Sequence, residues 1–223
     1  MGFRIPESLH EITIGQYQLY MAAIEGLEEN SEAMMELATV IFCNISLKDL
    51  RSLSRKEVDM IKIGVSKALK AFGDDQELVR RFWLNGIEYG FIPNLDTNIS
   101  YGEHSDIVSY VREGVQSSHK VVSVLYRPIT KSSKSTYKIK KYKTPVKNEE
   151  SFKDAPVSIL LGSQGFFYSV TKELLTHIPN YLRREMGEEK YQQMMKQESI
   201  NLTGEGTKKS IALLKETLGG LTK

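Results

Sequence analysis

Three times in this chain a hydroxyl residue stands three positions before a glutamine or glutamate at the head of an apolar, helix-spaced run: Thr13 with Gln16, Ser54 with Glu57, and Ser100 with Glu103. In such a capping box each side chain bonds the other residue's backbone N–H, satisfying amide donors that the first helical turn leaves open. Three helix starts are thereby marked, and a mostly helical body is the first expectation. The first helix should run from Ile14 to about Gly26, and a second should follow Asn30 through Met34, Met35, Leu37, Val40 and Ile41. Behind Ser54, the residues Val58, Ile61, Val65, Leu69 and Phe72 recur at helical spacing until Gly73 offers a stop. Ser100 opens a helix through Ile107, Val108 and Val111.

Between these helices the pattern changes. Phe82-Trp83-Leu84-Asn85-Gly86-Ile87-Glu88-Tyr89 places Asn-Gly between two short aromatic and aliphatic runs. Asn-Gly accepts the positive φ angles of a tight type I′ turn, so the spacing predicts a β-hairpin. A two-residue loop sets Leu84 opposite Ile87 and Phe82 opposite Tyr89, giving one apolar face. Farther on, Tyr137-Lys138-Ile139-Lys140-Lys141-Tyr142 alternates well enough for a strand at a sheet edge, where lysines discourage aggregation. Asp154 should cap a helix with Pro156 near its first turn and Ile159, Leu160, Phe166, Phe167, Val170, Leu174 and Leu175 around much of its circumference. Pro179 should break it. A more polar helix from Asn180, a Gly-containing loop at 201–207 and a last helix with Ile211, Leu213, Leu214 and Leu218 would come after it. The fold class expected is therefore α+β, mainly α-helical: a helical body with a small antiparallel β-hairpin element. It would be arranged as regions 1–73, 74–150 and 151–223, or as one composite domain. Ile12–Tyr17 and Ile99–His104 are alike, and two capped helix starts explain this better than an internal duplication.

With 40% hydrophobic and 26% charged residues the chain should fold, and a net charge of only +2 gives no overall pull toward nucleic acid or an anionic membrane. Charge is instead unevenly placed. The first 46 residues carry seven glutamates against one arginine, whereas Lys120 to Asn148 carries nine basic residues and no acid. That second stretch, interrupted by Pro128, Ser132-Ser133 and Pro145, reads as a basic loop containing the edge strand. The candidate interface residues are Lys134, Lys138, Lys140, Lys141, Lys143 and Lys147 on the basic side, with Glu25, Glu28, Glu29 and Glu32 on the acidic side. Such asymmetry could orient copies of the protein by setting the acidic end of one against the basic loop of the next. A solvated edge strand is the simpler account of the lysines. A phosphate backbone held by a basic, aromatic-interleaved strand is the less favoured one.

Residues that could carry chemistry fail the spacing that chemistry requires. Cys43 is the only cysteine, which excludes an internal disulfide or a multi-cysteine metal site. At the end of an apolar helical run it should be buried and inert. His10, His104, His119 and His177 are far apart and lack metal-ligand spacing, so each is expected to be an ordinary surface or helix-end residue. Gly162-Ser163-Gln164-Gly165 lacks the spacing of a nucleophile elbow and falls in a helix, making Ser163 a small packing residue. Gly204 to Ser210 fails the phosphate-loop pattern. The acid pairs Glu28-Glu29, Asp74-Asp75 and Glu188-Glu189 lie at helix boundaries or on polar faces. No catalytic residue, cofactor or metal is expected, and the chain should not be an enzyme. The stretch Met1 to Pro6 lacks the apolar core of a signal peptide, so the Asn-x-Ser/Thr triplets at Asn44, Asn98 and Asn201 should be chance matches, and no window is long and apolar enough to span a bilayer.

Several blocks together resemble a family of proteins of tailed bacteriophages and related uncultured viruses, including crAss-like phages. They are Ile12-Thr13-Ile14-Gly15-Gln16-Tyr17, Tyr89-Gly90-Phe91-Ile92-Pro93-Asn94 and Ile99-Ser100-Tyr101-Gly102-Glu103. With these go His119-Lys120, Val124-Leu125-Tyr126-Arg127-Pro128-Ile129, Ala155-Pro156-Val157-Ser158, Leu161-Gly162 and Phe166-Phe167. The resemblance implies a virion or virus assembly role without a reaction, and no catalytic residues to carry over. It implies a structural protein of the tail or portal-proximal region, or a tail assembly chaperone absent from the mature virion. Partners would be other phage proteins or a second copy in an oligomer, and the location would be the virion or the host cytoplasm during assembly.

Overall fold

A computed structural model of the chain describes residues 3–28, 31–73, 76–93, 99–133, 136–143, 146, 149–166, 187 and 189. Residues 1–165 form one compact unit and 166–223 a second. The first unit is α+β and mainly helical, with one small four-stranded antiparallel sheet.

All three capping boxes form. Thr13 Oγ1 accepts from Gln16 N while Gln16 Oε1 accepts from Thr13 N, at 3.1 and 3.0 Å, and helix α1 spans Ile14–Ala23. It stops three residues short of Gly26, which takes a φ of +80° in the following loop. Helix α2 (Glu32–Phe42) starts on Ser31. A helix that the sequence reading misses, α3 (Leu47–Ser52), starts on Ser46, whose hydroxyl accepts from Asp49 N. Helix α4 (Arg55–Lys70) follows the Ser54–Glu57 box and ends in a 3-10 turn, Ala71–Gly73. Its apolar side, Ile61, Val65 and Ala68, is buried. Tyr20 packs on Phe42 and Tyr17 on Phe72, with ring centroids 5.0 and 5.4 Å apart, so α1 is tied to both α2 and the end of α4.

The hairpin also forms in the expected register. Strand β1 (Arg81–Leu84) pairs with β2 (Ile87–Phe91), Leu84 opposite Ile87 and Phe82 opposite Tyr89, around Asn85 and Gly86 at φ of 49° and 77°. Helix α5 (Tyr101–Arg112) follows the Ser100–Glu103 box, and helix α6 (Ser118–Leu125) then runs directly into strand β3 (Tyr126–Ser132). The sheet order is β1-β2-β3-β4, with β4 (Tyr137–Ile139) at the edge. The expected basic loop over 120–148 is thus corrected in its first half. Lys120 lies in a helix whose Val122, Val124 and Leu125 are fully buried, and Arg127 and Lys131 lie in a strand. Packing decides here: the apolar run from Val121 to Tyr126 is central to the core, and burial outweighs the scattered cations.

Phe82, Tyr89, Phe91 and Tyr126 make the inner face of the sheet, with edge-on contacts Phe82–Tyr126 (5.2 Å), Phe91–Tyr126 (5.1 Å) and Tyr89–Phe152 (4.9 Å). Phe152 belongs to a 3-10 turn, Glu149–Asp154, after which residues 157–166 are helical (α7). Between the two, Ile14 N donates to Ala155 O and Val157 N to Ile12 O, at 2.9 and 2.8 Å. The expected helix breaker at Pro179 and the helices beyond it lie outside the described residues.

Candidate functional site

The candidate site is the edge of the sheet, a basic stretch over 137–143 in which Lys138 lies within β4 and Lys140, Lys141 and Lys143 follow it, with Tyr137 at its start and Tyr142 near its end. At its start, the Tyr137 hydroxyl donates to the backbone carbonyl of Phe91 at 2.7 Å, reaching across the outer face of the sheet. Gly90 makes this reach possible: a Cβ there would stand 2.5 Å from the Tyr137 ring. Arg81 lies over the same ring, 5.4 Å from its centroid, while its guanidinium bonds Glu88 at 2.9 Å and Ser132 Oγ at 2.7 Å. Beyond the strand, the Tyr142 hydroxyl bonds the Asp106 carboxylate on α5, and Arg127 faces the Tyr142 ring at 6.0 Å.

Between and beside these anchors, Lys138, Lys140, Lys141 and Lys143 are all exposed, and none forms an ion pair with a described residue. No described strand pairs with the outer side of β4. Lysine ammonium groups beside an edge that no described strand covers can meet carboxylates or phosphates. Tyr137 and Tyr142 are committed inside the fold, through hydroxyls bonded to protein groups and rings beside arginines. The arrangement therefore offers charge and backbone, and the two tyrosines are not presented as free stacking platforms for bases.

Of the other candidate interface residues, Lys134, Lys147 and Glu29 lie outside the described residues. Glu25 and Glu28 are exposed in the loop joining α1 to α2, with Leu27 40% exposed between them. Glu32, on the first turn of α2, is already matched within the chain, its carboxylate 3.1 Å from Lys62 Nζ on α4.

A polar cluster that sequence reasoning misses lies inside the unit. His119, expected at the surface or a helix end, is the second residue of α6 but is only 2% exposed. Gln18 Nε2 lies 3.0 Å from the carbonyls of both Val115 and Gln116, which identifies that end of the amide as the donor. The same nitrogen is 2.9 Å from His119 Nδ1, so Nδ1 accepts and the ring proton sits on Nε2, which donates to Glu150 at 3.2 Å. Burial pushes the His119 pKa below its ordinary value, outweighing the opposing pull of Glu150. The group is a neutral connector of α1, α6 and the 3-10 turn.

A second buried contact joins α5 to the sheet. Glu103, 2% exposed, keeps one carboxylate oxygen on Ser100 N and sets the other 2.8 Å from the Arg127 guanidinium. That second oxygen is out of line for a hydrogen bond, so the contact is an ion pair and not a directed bond.

Cys43, Ser163 and His10 are held in structural contacts. Cys43 is buried at the end of α2 and its thiol is pushed up to about 11 by that burial, unfavourable for a nucleophile. Ser163 Oγ donates to Leu160 O within α7. His10 bonds Ser158 at 2.8 Å, and His104 is exposed. His177 and the segment Gly204 to Ser210 lie outside the described residues. Among the described residues no group of three or more His, Cys, Asp or Glu is placed to hold a metal ion, and no helix is long and apolar enough to cross a membrane. Comparison with protein-family models, with curated proteins and with solved structures returns no match to this chain.

Proposed function

We propose that this chain is a non-enzymatic structural or morphogenesis protein of a tailed bacteriophage, working through protein contacts in the tail or portal-proximal assembly. The observation that supports the docking half of this reading is the lysine strand itself: a sheet edge held in place by Tyr137 and Tyr142, with four cations outward that pair with no described carboxylate. The phage half rests on the resemblance of the sequence blocks from Ile12 to Phe167. Mass spectrometry of purified particles tests it, because a structural subunit must be present at a fixed stoichiometry. A chain abundant in infected cells but absent from particles would point to the assembly chaperone, and a chain in neither would end the proposal.

A second reading, nucleic-acid binding, draws on the same four lysines. Its signature is a steep loss of duplex affinity with rising salt, flattened when Lys138, Lys140, Lys141 and Lys143 are all changed to Gln. Unchanged affinity and slope in that variant would remove the strand from any such role.

A further inference from the structure

We propose that copies of this chain associate head to tail, the acidic α1–α2 loop of one docking on the lysine strand of the next. The two surfaces are complementary in charge and belong to the same unit, yet no ion pair joins them within the described residues of one chain. Four other acids are taken up internally, Glu11 by Arg4, Glu32 by Lys62, Glu88 by Arg81 and Glu103 by Arg127, while Glu7, Glu36 and Glu77 form no ion pair with a described residue. Glu25 and Glu28 have no such partner among the described residues, and neither do the four lysines of the strand.

Both surfaces are shaped before they meet. In the described part of the loop Leu27 N donates to Ile24 O at 3.0 Å and Ser31 N to Glu28 O at 3.2 Å, and Leu27 is 40% exposed in the stretch that carries Glu25 and Glu28. The strand is held by its two tyrosines. Association then has mainly to order the long charged side chains that meet, and long-range attraction between opposite charges speeds the encounter. The contact uses two different surfaces, so it is heterologous. Such contacts close into rings when the rotation between neighbours allows and otherwise extend as filaments. A second copy is the occupant that fits best because every chain carries both halves in equal number. This inference rests on the proposed assembly role and names the partner for its docking edge.

The test is sedimentation of the full-length chain over a range of concentrations, at low and at high salt. The native chain should associate at low salt and come apart as salt rises. A strand variant with Lys138, Lys140, Lys141 and Lys143 all changed to Glu should associate at least about tenfold more weakly, as should a loop variant carrying Glu25→Lys and Glu28→Lys. Mixing the two variants should restore association, because the acidic strand of one then faces the basic loop of the other. Circular dichroism and urea midpoints matching the native chain show that each variant is folded; a Lys→Gln strand or a Glu→Gln loop replaces one that is not, and is read for weakened association alone. A native chain that stays monomeric throughout, or association indifferent to both variants, would overturn the inference. Its failure is distinct from failure of the assembly role: a solution monomer found at fixed stoichiometry in particles refutes only the self-contact, while a self-associating chain absent from particles and infected cells refutes only the phage role.

Discussion

The interior of the first unit and its sheet edge use polar residues in opposite ways. Inside, Gln18 and His119, with the exposed Glu150 at the outer end of the cluster, join three elements, and Glu103 meets Arg127 between α5 and the sheet. Gln18, His119 and Glu103 are buried with partners fixed by the fold, since an unpaired buried polar group costs about 1–3 kcal/mol and a charge more. Only Glu103 Oε1 and Arg127 Nε among the atoms of these contacts lack a directed hydrogen bond. At the edge, the four lysines are solvated and stand free of any described carboxylate. Some polar residues thus build this molecule, and others remain available to meet something else. Position along the chain does not separate them: Arg127 belongs to the same basic stretch as Lys138, yet one serves the interior and the other faces outward.

The contrast can be broken from its interior side first. Glu103→Ala removes both the cap on Ser100 N and the carboxylate beside Arg127, so it should lower the unfolding free energy by about 3–5 kcal/mol in urea denaturation, because a largely buried guanidinium is left without its partner. Replacing both residues by apolar ones of similar volume should recover much of that loss. A cost below about 1 kcal/mol for Glu103→Ala would mean that the pair is effectively solvated.

Gly90→Ala comes next, because the added methyl would meet the Tyr137 ring and the Ile129 side chain, at 2.5 and 3.1 Å. The ring must leave its seat, at about 1–3 kcal/mol. The same change should loosen β4, read as faster amide exchange over Tyr137 to Ile139. Unaltered exchange there would show that the tyrosine does not hold the strand.

The histidine cluster gives a smaller, pH-dependent effect. His119 has a lowered pKa in the folded chain, so the unfolded chain takes up its proton first as pH falls. The stability linked to His119 is therefore fully present above its ordinary value of about 6.5 and is lost as pH drops from there through the folded pKa. Between about pH 7.5 and pH 5, where Glu150 stays charged because its own pKa is lowered by Lys153 and His119, the native urea midpoint should fall further than that of His119→Gln. Parallel midpoints would show that the ring is readily protonated in place.

The smallest effect on stability belongs to the edge. Changing Lys138, Lys140, Lys141 and Lys143 together to Gln should move the unfolding free energy by no more than about 0.5 kcal/mol, as expected of exposed side chains away from structural contacts. A large loss would place those lysines among the groups that hold the fold and erase the contrast.

Much of the framework is legible in the sequence because its causes are local. The three capping boxes and the Asn85-Gly86 turn each depend on residues within four positions of one another, and each forms as its spacing requires. Alternation from Tyr137 to Tyr142 likewise locates the edge strand, of which only Tyr137–Ile139 forms. Helix α3 escapes notice because six residues after Ser46 give too little periodicity to read. The passage from α6 into β3 resembles a loop because the apolar run from Val121 to Tyr126 has neither helical nor strand periodicity, and the neighbouring cations suggest solvent. His119 is misplaced for a similar reason: its partners stand 101 and 31 positions away, and only packing brings them together. At the edge, the lysines are plain in the sequence. That the tyrosines beside them turn inward and fix the strand is not.

The central claim is that the lysine strand is a docking edge, and amine footprinting tests it most directly. Free chain and chain in its native assembly, whether particle or infected-cell complex, would be labelled under the same conditions and compared lysine by lysine. Lys138, Lys140, Lys141 and Lys143 should lose reactivity in the assembly while Lys48 and Lys56, likewise exposed on α3 and α4, keep theirs. Equal labelling of the strand in both states would contradict that claim.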